Sequence, residues 1–484
     1  MAAGRVTAGR LTAGGRGAVA WAAALCVAAA VVAAGLPARP AWAAGEPAPY
    51  AFAEGIRPVK GAATTSDAPS LEAGAVYKDA VRQGGPLIYR VDLDAVSHAY
   101  VSVVAVPPGD AEVTDGDRLK VSLQDRDGSE CSSTDTKFGY STAFPRPLAA
   151  YVHRTLDPEG TRCQKAGPYY VVVEREGEKG SPPQPWDLEI RHVLEPGLKE
   201  AGPTAPPENW PSASPEALAG GPTERAGGTS FSDAPGLSEG EWTDRIEPGQ
   251  SRFYRVPVDW GEQLFVSADL GSSTGDGYVG GALPVSLYNP ALGLVDSLTS
   301  MSYNGRQKSA SFDPLPPVAY ENRFSSDPEI RQMRFAGWYY LRVTLNPEVG
   351  EKFGKKPHGL TLRIHVGGER KPAPPYAGPA GIFTVSEDDR QAAADGHSGP
   401  QAERSGTMRL VAAGGIGTGT VLLLGLGLWT VLARRRAASS AALPAGGAAG
   451  GAAGAAGGAV PGAGAAVPSD AATRGFGPPP AGGW

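Results

Sequence analysis

The feature that most limits the folds open to this chain is an internal repeat with a period of about 165 residues. The motif Ser-Asp-Ala-Pro at 66–69 recurs at 232–235, and Ile-Tyr-Arg-Val at 88–91 recurs as Phe-Tyr-Arg-Val at 253–256. Further matches keep the same order: Val121-Ser122-Leu123 with Val285-Ser286-Leu287, Tyr169-Tyr170 with Tyr339-Tyr340, and Leu188-Glu189-Ile190 with Leu362-Arg363-Ile364. Conserved order over such a distance indicates duplication of one folding unit.

The repeated segments have the residue pattern of β-strands. Residues 360–366 read Leu-Thr-Leu-Arg-Ile-His-Val, so apolar and polar side chains alternate. A period of two with one apolar face predicts strands that are half buried and half exposed. Gly, Pro, Asp and Ser fill the stretches between them, as turns require. The predicted fold class is all-β, with two tandem antiparallel β-sandwiches of jelly-roll-like size at 66–193 and 232–366. Pro257 predicts an edge or a bulge for its strand.

Stretches rich in Pro, Gly and Ala flank the predicted sandwiches. Residues 194–231 include Gly-Pro-Thr-Ala-Pro-Pro at 202–207 and are predicted to form an extended linker. Residues 367–409 are predicted to form a stalk, and residues 44–65 a separate N-terminal segment. The chain has 67 Gly and 45 Pro among 484 residues, and their local concentration argues against one continuous fold.

The N-terminus, residues 1–43, has the pattern of a secretory signal peptide. Three arginines precede an apolar stretch at 18–36, with no acidic residue among them. Ala41 and Ala43 put small residues at both positions that signal peptidase reads, so cleavage is expected after Ala43. An uncleaved anchor is the alternative. The stretch is shorter than about 20 residues and rich in weakly hydrophobic Ala, which favours cleavage.

A second apolar stretch, residues 410–433, lies near the C-terminus and contains no charged residue. A helix of this length reaches about 36 Å, enough to cross the ~30 Å hydrocarbon core of a bilayer. Arg434, Arg435 and Arg436 follow at once and form a stop-transfer cluster, which places the C-terminus in the cytoplasm. The tail at 434–484 is almost wholly Ala, Gly and Pro and is predicted to be disordered.

Cysteine usage fits an oxidising compartment. Cys26 leaves with the signal peptide, and Cys131 and Cys163 remain. An even number of cysteines in a secreted segment predicts a disulfide between them. Two cysteines without a nearby pair of histidines at ligand spacing do not make a structural zinc site.

Metalloprotease and P-loop patterns are missing from the sequence. There is no H-E-x-x-H and no Walker loop. His192 and His365 fall near the ends of matching strands and are predicted to lie on a solvent-exposed face. His98 lies in a turn without an obvious acidic partner. The chain is therefore predicted not to be an enzyme, and a net charge of -6 gives no reason to expect nucleic acid binding.

A group of carboxylates in the first repeat is a candidate for calcium binding. Asp125, Asp127 and Glu130 offer several oxygen ligands within one turn, and calcium takes 6–8. An ordinary Asp-Gly turn is the alternative, because the second repeat has Tyr-Asn-Pro at 288–290 where the first has Asp125. No other cofactor is predicted.

Aromatic residues on or beside the repeated strands favour binding over catalysis. Exposed aromatic side chains on a sandwich face can stack on sugars or hold a peptide, and core packing is the alternative. The residues concerned are Tyr77, Trp242, Trp260, Tyr303, Tyr320, Trp338 and Tyr340.

Each repeat resembles the bacterial pre-peptidase C-terminal domain group in one series of motifs. The series begins with the turn Leu-x-x-Gly, continues with an aromatic residue and an Asp, and ends with Gly-x-x-x-aromatic-Tyr-Arg-Val. The matching positions are Tyr89 and Val91, Tyr254 and Val256, and the closing strands at 170–172 and 340–342. The resemblance covers both repeats. It implies β-sandwich domains that accompany secreted proteases and other surface proteins and assist secretion, folding or attachment. This chain carries no protease domain, which leaves the role of the units open.

These patterns predict a non-catalytic, single-pass cell-membrane protein whose two extracytoplasmic sandwiches bind a protein or a cell-wall glycan. A secreted hydrolase or protease-associated accessory subunit with an unrecognised site is the alternative, as is a structural stalk or accessory subunit of a neighbouring membrane complex. Gly415 and Gly419 form a G-x-x-x-G pattern of the kind that pairs membrane helices, so a homodimer through this helix is left open.

Overall fold

The computed structural model describes residues 48–157, 160–178, 181, 183–402, 404 and 425–435. This part of the chain forms four sheets with few helices, which confirms the all-β class. Several predicted features lie outside the described residues: the cleavage-site residues Ala41 and Ala43, the paired glycines Gly415 and Gly419, and Arg436.

The first repeat forms two sheets that pack face to face. Its strands are β1 (Arg57–Pro58), β2 (Val76–Val81), β3 (Leu87–Leu93), β4 (His98–Val106), β5 (Arg118–Asp125), β6 (Glu130–Lys137), β7 (Leu148–Arg154), β8 (Gly167–Glu176) and β9 (Trp186–Glu195). One sheet has the order β1-β2-β9-β4-β7 and the other β3-β8-β5-β6. Apolar side chains from both sheets, such as Tyr89, Val121 and Leu188, are fully buried between them.

The second repeat reproduces this connectivity. Its elements are β10 (Thr223–Glu224), β11 (Gly240–Ile246), β12 (Ser251–Val258), β13 (Gln263–Leu270), β14 (Val285–Tyr288), β15 (Leu294–Leu298), β16 (Lys308–Ser311), α1 (Pro328–Gln332), β17 (Gly337–Thr344), α2 (Pro347–Phe353), β18 (His358–Gly367) and α3 (Glu387–Asp395). The sheets have the orders β10-β11-β18-β13-β16 and β12-β17-β14-β15, which match the first repeat strand for strand. The duplication in sequence is therefore a duplication of a β-sandwich. Pro257 lies on β12, an edge strand, as predicted.

Each sandwich begins before the boundary that the repeat predicted. The short strands β1 and β10 pair in parallel with β2 and β11 and form one edge of each five-stranded sheet. Backbone bridges also join Ala62 to Ile88 and Gly228 to Phe253. The described part of 44–65 and the end of the predicted linker therefore belong to the sandwiches, because their backbone groups complete the sheet edges.

A half-buried carboxylate holds this early segment against the strands at the same place in both repeats. In the second repeat, Asp244 Oδ2 accepts hydrogen bonds from Tyr254 Oη at 2.7 Å and from Gly227 N at 2.9 Å. A Cβ on Gly227 would lie 2.7 Å from Cζ of Tyr254, so the close approach requires glycine. The first repeat has the same arrangement in Asp79, Tyr89 and Gly61.

Asp244→Asn is expected to lower the free energy of unfolding by about 1.5–3 kcal/mol, because it removes the charged acceptor that two donors share. Chemical denaturation measures the effect, and Asp79→Asn provides an independent copy in the first sandwich. Asp296→Asn on the edge strand β15 is the matched control. Equal destabilisation by Asp296→Asn and Asp244→Asn would contradict the role given to Asp244.

The two sandwiches stack directly on each other. The five-stranded sheet of the first repeat faces the four-stranded sheet of the second, and Val104 and Ala149 pack in one apolar cluster with Phe253 and Tyr288. A second cluster at the same interface contains Tyr100, Tyr151, Phe335 and Phe383. The prediction of two modules separated by an extended linker is therefore wrong, because the sheet faces assigned to solvent cover each other.

The linker packs along the second sandwich. Trp210 Nε1 donates a hydrogen bond to Pro314 O at 3.2 Å. Leu198 pairs with Tyr376 in an antiparallel backbone bridge. Fixed contacts at both points hold the linker against the body of the protein.

The described part of the predicted stalk also packs onto the second sandwich. Within 367–404, α3 carries two buried alanines, and Phe383 is fully buried in the interface. Trp338 Nε1 donates to Asp389 Oδ1 at 2.9 Å. The stalk prediction is wrong for these residues, because apolar side chains placed among the prolines find buried positions. We call residues 367–404 the C-terminal segment.

Residues 425–435 form a helix that includes Arg434 and Arg435, whereas 410–424, the larger part of the predicted membrane span, lie outside the described residues. No helix within the described ranges is long and apolar enough to cross a membrane.

Candidate functional site

A buried ion pair lies where the two sandwiches meet. Glu195, the last residue of β9, accepts hydrogen bonds from both terminal nitrogens of Arg323, with Nη2 2.7 Å from Oε1 and Nη1 3.1 Å from Oε2. Tyr100 Oη donates to Oε2 at 2.6 Å, and Tyr376 Oη donates to Oε1 at 2.7 Å. Glu195 is 0% exposed and Arg323 is 6% exposed. Each carboxylate oxygen therefore has two donors.

The four groups come from three parts of the chain. Glu195 and Tyr100 belong to the first sandwich, Arg323 to the 3-10 turn at Tyr320–Phe324, and Tyr376 to the C-terminal segment. Burial by itself would raise the pKa of Glu195, but the Arg323 guanidinium outweighs burial and lowers that pKa to about 2. The carboxylate is ionised at neutral pH, and the pair ties all three parts of the chain together.

His98 continues this network toward the surface. Its Nδ1 accepts a hydrogen bond from Leu156 N at 2.9 Å, so the proton of the neutral ring is on Nε2, 3.3 Å from Tyr320 Oη. Burial lowers the pKa of His98 to about 4, and the charge of Arg323 adds to the effect. Burial likewise lowers the pKa of His153 well below its ordinary value. Both imidazoles are therefore neutral at neutral pH.

An open cleft of about 490 Å³ lies beside the network. Trp260 and Tyr320 line it from the second sandwich, the linker lines it through 202–207, and the C-terminal segment lines it through 371–375. The cleft is rich in proline, with Pro203, Pro206, Pro207, Pro372, Pro374 and Pro375 among its residues. We call this concavity the proline cleft.

The buried network supports the aromatic side of the proline cleft. The Arg323 guanidinium carbon lies 3.4 Å from the centre of the Tyr320 ring. The Tyr376 ring centre is 6.2 Å from that of Tyr320 and 6.5 Å from that of Trp260. The aromatic lining is thus held in place by groups that are themselves locked to Glu195.

The arrangement is suited to binding. The strongly shifted carboxylate, Glu195, is enclosed by four hydrogen bonds and has no oxygen left for a substrate. Tyr376, which contacts it, donates its hydroxyl hydrogen inward. What faces the proline cleft is an apolar and aromatic lining with few polar groups, which is the usual composition of a ligand site.

The three calcium candidates serve their own turn and strand. Asp125 Oδ1 accepts from Asp127 N at 3.0 Å and from Ser129 N at 2.8 Å, while Glu130 Oε1 accepts from Ser133 Oγ at 2.7 Å. Nowhere in the described ranges do three or more His, Cys, Asp or Glu side chains form a group that could hold a metal ion. The structure therefore does not bring these carboxylates together as ligands.

The predicted disulfide between Cys131 and Cys163 is confirmed, with the Cα atoms 5.8 Å apart. It joins β6 to the loop between β7 and β8. A polar hollow of about 230 Å³ beside it is lined by Asp125, Asp127 and Cys163 among others.

The aromatic residues considered for a ligand platform are mostly in the core. Tyr77, Trp242, Trp260 and Tyr303 are buried, and Tyr320, Trp338 and Tyr340 are half-buried. Of these seven, Trp260 and Tyr320 line the proline cleft. The alternative, core packing, is correct for most of them.

The two strand histidines differ in their surroundings. His192 is buried, with Nδ1 3.0 Å from Leu71 O, so its predicted exposure is wrong. Side chains two residues apart on a strand point to the same face, and Leu188 and Ile190 of β9 point into the core. His192 is therefore expected on the core side as well. His365 is half-buried on the outer face of β18, where its Nδ1 lies 2.9 Å from Glu239 Oε1.

Sequence reasoning missed the groups of the ion pair. Glu195 and Arg323 are separated by 128 positions, and neither belongs to a recognisable motif. The available signal was the charged alternation of Glu189, Arg191 and Glu195 on a strand that lies inside its sheet. By the general rule for alternating strands, such a polar face is expected to lie in solvent.

Comparisons with known proteins leave the family open. No family model matches the chain, and no curated protein matches it. Among solved structures, it is similar to the CBM22-1-CBM22-2 tandem domain of Paenibacillus barcinonensis Xyn10C, with 11% identity over 61% of this chain and 92% of that chain and a TM-score of 0.17. It is also similar to the CUB1-EGF-CUB2 domain of human MASP-1/3, with 8% identity over 60% of this chain and 99% of that chain and a TM-score of 0.16. TM-scores this low assign neither family nor function.

Proposed function

We propose that this protein is a single-pass membrane protein whose extracytoplasmic part is a non-catalytic binding module for a protein or cell-envelope partner. The observation that carries the proposal is the proline cleft, an open apolar concavity at the junction of the second sandwich, the linker and the C-terminal segment. Such concavities are the usual place of ligand binding, and the ion pair beside this one keeps its lining in a fixed position.

The resemblance to the pre-peptidase C-terminal group supports the same reading. That group consists of accessory β-sandwiches, and the strand positions that carry the resemblance, Tyr89 and Tyr254, anchor the two copies of the Asp–Tyr–Gly arrangement here. The matched residues thus have a structural role, which fits a module that presents a binding surface.

Site-specific cross-linking in living cells tests the binding role. A photoreactive amino acid at Ala373, an exposed residue of the proline cleft, is expected to give discrete adducts in the full-length protein. The same group at Ser297, exposed on the edge strand β15, is the control and is expected to give none of them. Identical adducts at both positions, or none at Ala373, would count against the proposal.

Membrane topology has a separate test. In intact cells, a membrane-impermeant thiol reagent is expected to label Ser297→Cys and to leave Ser469→Cys in the tail unlabelled until the cells are opened. Labelling of both cysteines from outside would reject the single-pass topology.

Signal cleavage is tested on the purified protein. Mass spectrometry is expected to find Ala44 at the N-terminus, because cleavage after Ala43 removes the signal peptide.

A further inference from the structure

We infer that the proline cleft is a saccharide site for a neutral, disaccharide-sized ligand that offers hydroxyl donors and an apolar ring face. The inference rests on the proposed function and names the ligand class of the same site.

The walls of the proline cleft offer acceptors and few donors. Six of the lining residues are prolines, and because proline has no N–H, these positions offer a backbone carbonyl oxygen and no backbone donor. The carbonyl oxygens of Pro203, Pro206 and Pro372 accept no hydrogen bond from the residues that the structure describes. A ligand with several hydroxyl groups complements such walls. A proline-rich peptide does not, because it brings carbonyls and few N–H groups of its own.

The aromatic side supplies the apolar contact and one donor. The ring of Tyr320 is backed by the Arg323 guanidinium, so a ligand packs against a surface that is already held in position. Trp260 is 3% exposed, and its Nε1 has no hydrogen-bond partner among the described residues. This N–H is itself buried, so a ligand oxygen would reach it only through a small shift of the cleft lining. A buried donor without a partner is unfavourable, and that contact would satisfy it.

The volume of the proline cleft and the charges that line it limit the class of ligand further. A volume of about 490 Å³ falls within the range of small-ligand sites, roughly 300–1,000 Å³. One carboxylate, Glu321, and one ammonium group, Lys371, line the cleft, so their charges balance. The balance favours a neutral sugar over a phosphorylated or carboxylated one.

Isothermal titration calorimetry of the full-length protein, in a detergent without a sugar headgroup, tests the inference. The probes are cellobiose, lactose and N,N′-diacetylchitobiose, with decaproline as the peptide competitor. At least one disaccharide is expected to bind the wild type saturably. Ala373→Trp, which places an indole in the cleft, is expected to weaken that binding at least about tenfold. Ala377→Trp, exposed on the same segment but outside the cleft, is the matched control and is expected to bind as the wild type does.

A second variant tests the donor. Trp260→Phe keeps an aromatic ring and removes the indole N–H, so disaccharide binding is expected to weaken about fivefold, the effect of one neutral hydrogen bond. Circular dichroism melting of each variant separates loss of binding from loss of folding.

Three results would overturn the inference: no saturable heat with any of the disaccharides, equal affinity in Ala373→Trp and wild type, or tighter binding of decaproline than of every disaccharide. Adducts specific to Ala373 in cells, together with any of these results, would leave the proposed binding function standing and remove the saccharide assignment. Absence of the adducts would count against the proposed function itself.

Discussion

Arg323→Met is expected to lower the free energy of unfolding by about 3–5 kcal/mol, because it leaves the carboxylate of Glu195 buried without its cation. The two tyrosine hydroxyls that remain on Glu195 do not supply a compensating charge. Urea denaturation followed by circular dichroism measures the loss. The effect is expected to be large because both partners are buried between three parts of the chain that separate on unfolding.

Two further variants distinguish an uncompensated charge from lost packing. The double variant Glu195→Leu with Arg323→Met removes both charges and is expected to recover most of the stability that Arg323→Met loses. Arg57→Met breaks an exposed pair, in which the side chains of Arg57 and Glu72 are 56% and 71% exposed, and is expected to lower the stability far less than Arg323→Met does. If the double variant were as unstable as Arg323→Met, the charge explanation would be wrong.

Acidification from pH 6.5 to pH 4 is expected to destabilise the protein by about 3 kcal/mol through His98 alone. The pKa of His98 is lowered to about 4 in the folded state, whereas the unfolded chain has the ordinary value near 6.5. Between these values the unfolded state binds a proton that the folded state does not, so stability falls by about 1.4 kcal/mol per pH unit for each such group. His153 and His192, whose pKa values burial also lowers, add to the loss.

Protonation of His98 also has a specific structural cost. A proton on Nδ1 removes the acceptor for Leu156 N–H and puts a second cation near Arg323. Glu195 contributes in a different range: its pKa of about 2 means that its stabilisation is present above about pH 4.5 and is lost as the pH falls toward 2.

Denaturation curves at half-unit pH steps measure these slopes. His98→Gln lacks the ionisable group and is expected to reduce the slope between pH 6.5 and 4 by about one proton. An unchanged slope in His98→Gln would show that this histidine does not carry the effect.

The residue pattern within each repeat was sufficient to predict the β-sandwich that the repeat forms. The alternation at 360–366 identified β18 and its buried face, and the recurrence of the Tyr-Arg-Val strand identified two copies of one unit. Cys131 and Cys163 were paired correctly because two cysteines remain beyond the predicted signal peptide and each has one possible partner. These inferences rest on neighbours in sequence, where period and composition carry the information.

The packing of one repeat against the other could not be predicted from the sequence pattern. Alternation shows that β9 has one polar face, but a polar face can point to water or to another sheet. Glu195 lies on a polar face that points to another part of the protein, where it pairs with Arg323. Arg323 is distant in sequence, so the sequence around β9 does not reveal this partner. The linker and the C-terminal segment were misread for a related reason. Their Pro, Gly and Ala content is typical of extended chain, yet Trp210, Tyr376 and Phe383 fix them to the second sandwich.

The sequence by itself determined the duplicated all-β units and the disulfide, because strand period, turn residues and cysteine number act locally. Only the tertiary structure decided that the two sandwiches stack and that a buried ion pair joins them. It also decided that two proline-rich segments enclose a cleft with Trp260 and Tyr320. The physical reason is that these features depend on which faces lose contact with water on folding. That outcome depends on surface complementarity between distant segments, which neither composition nor period encodes.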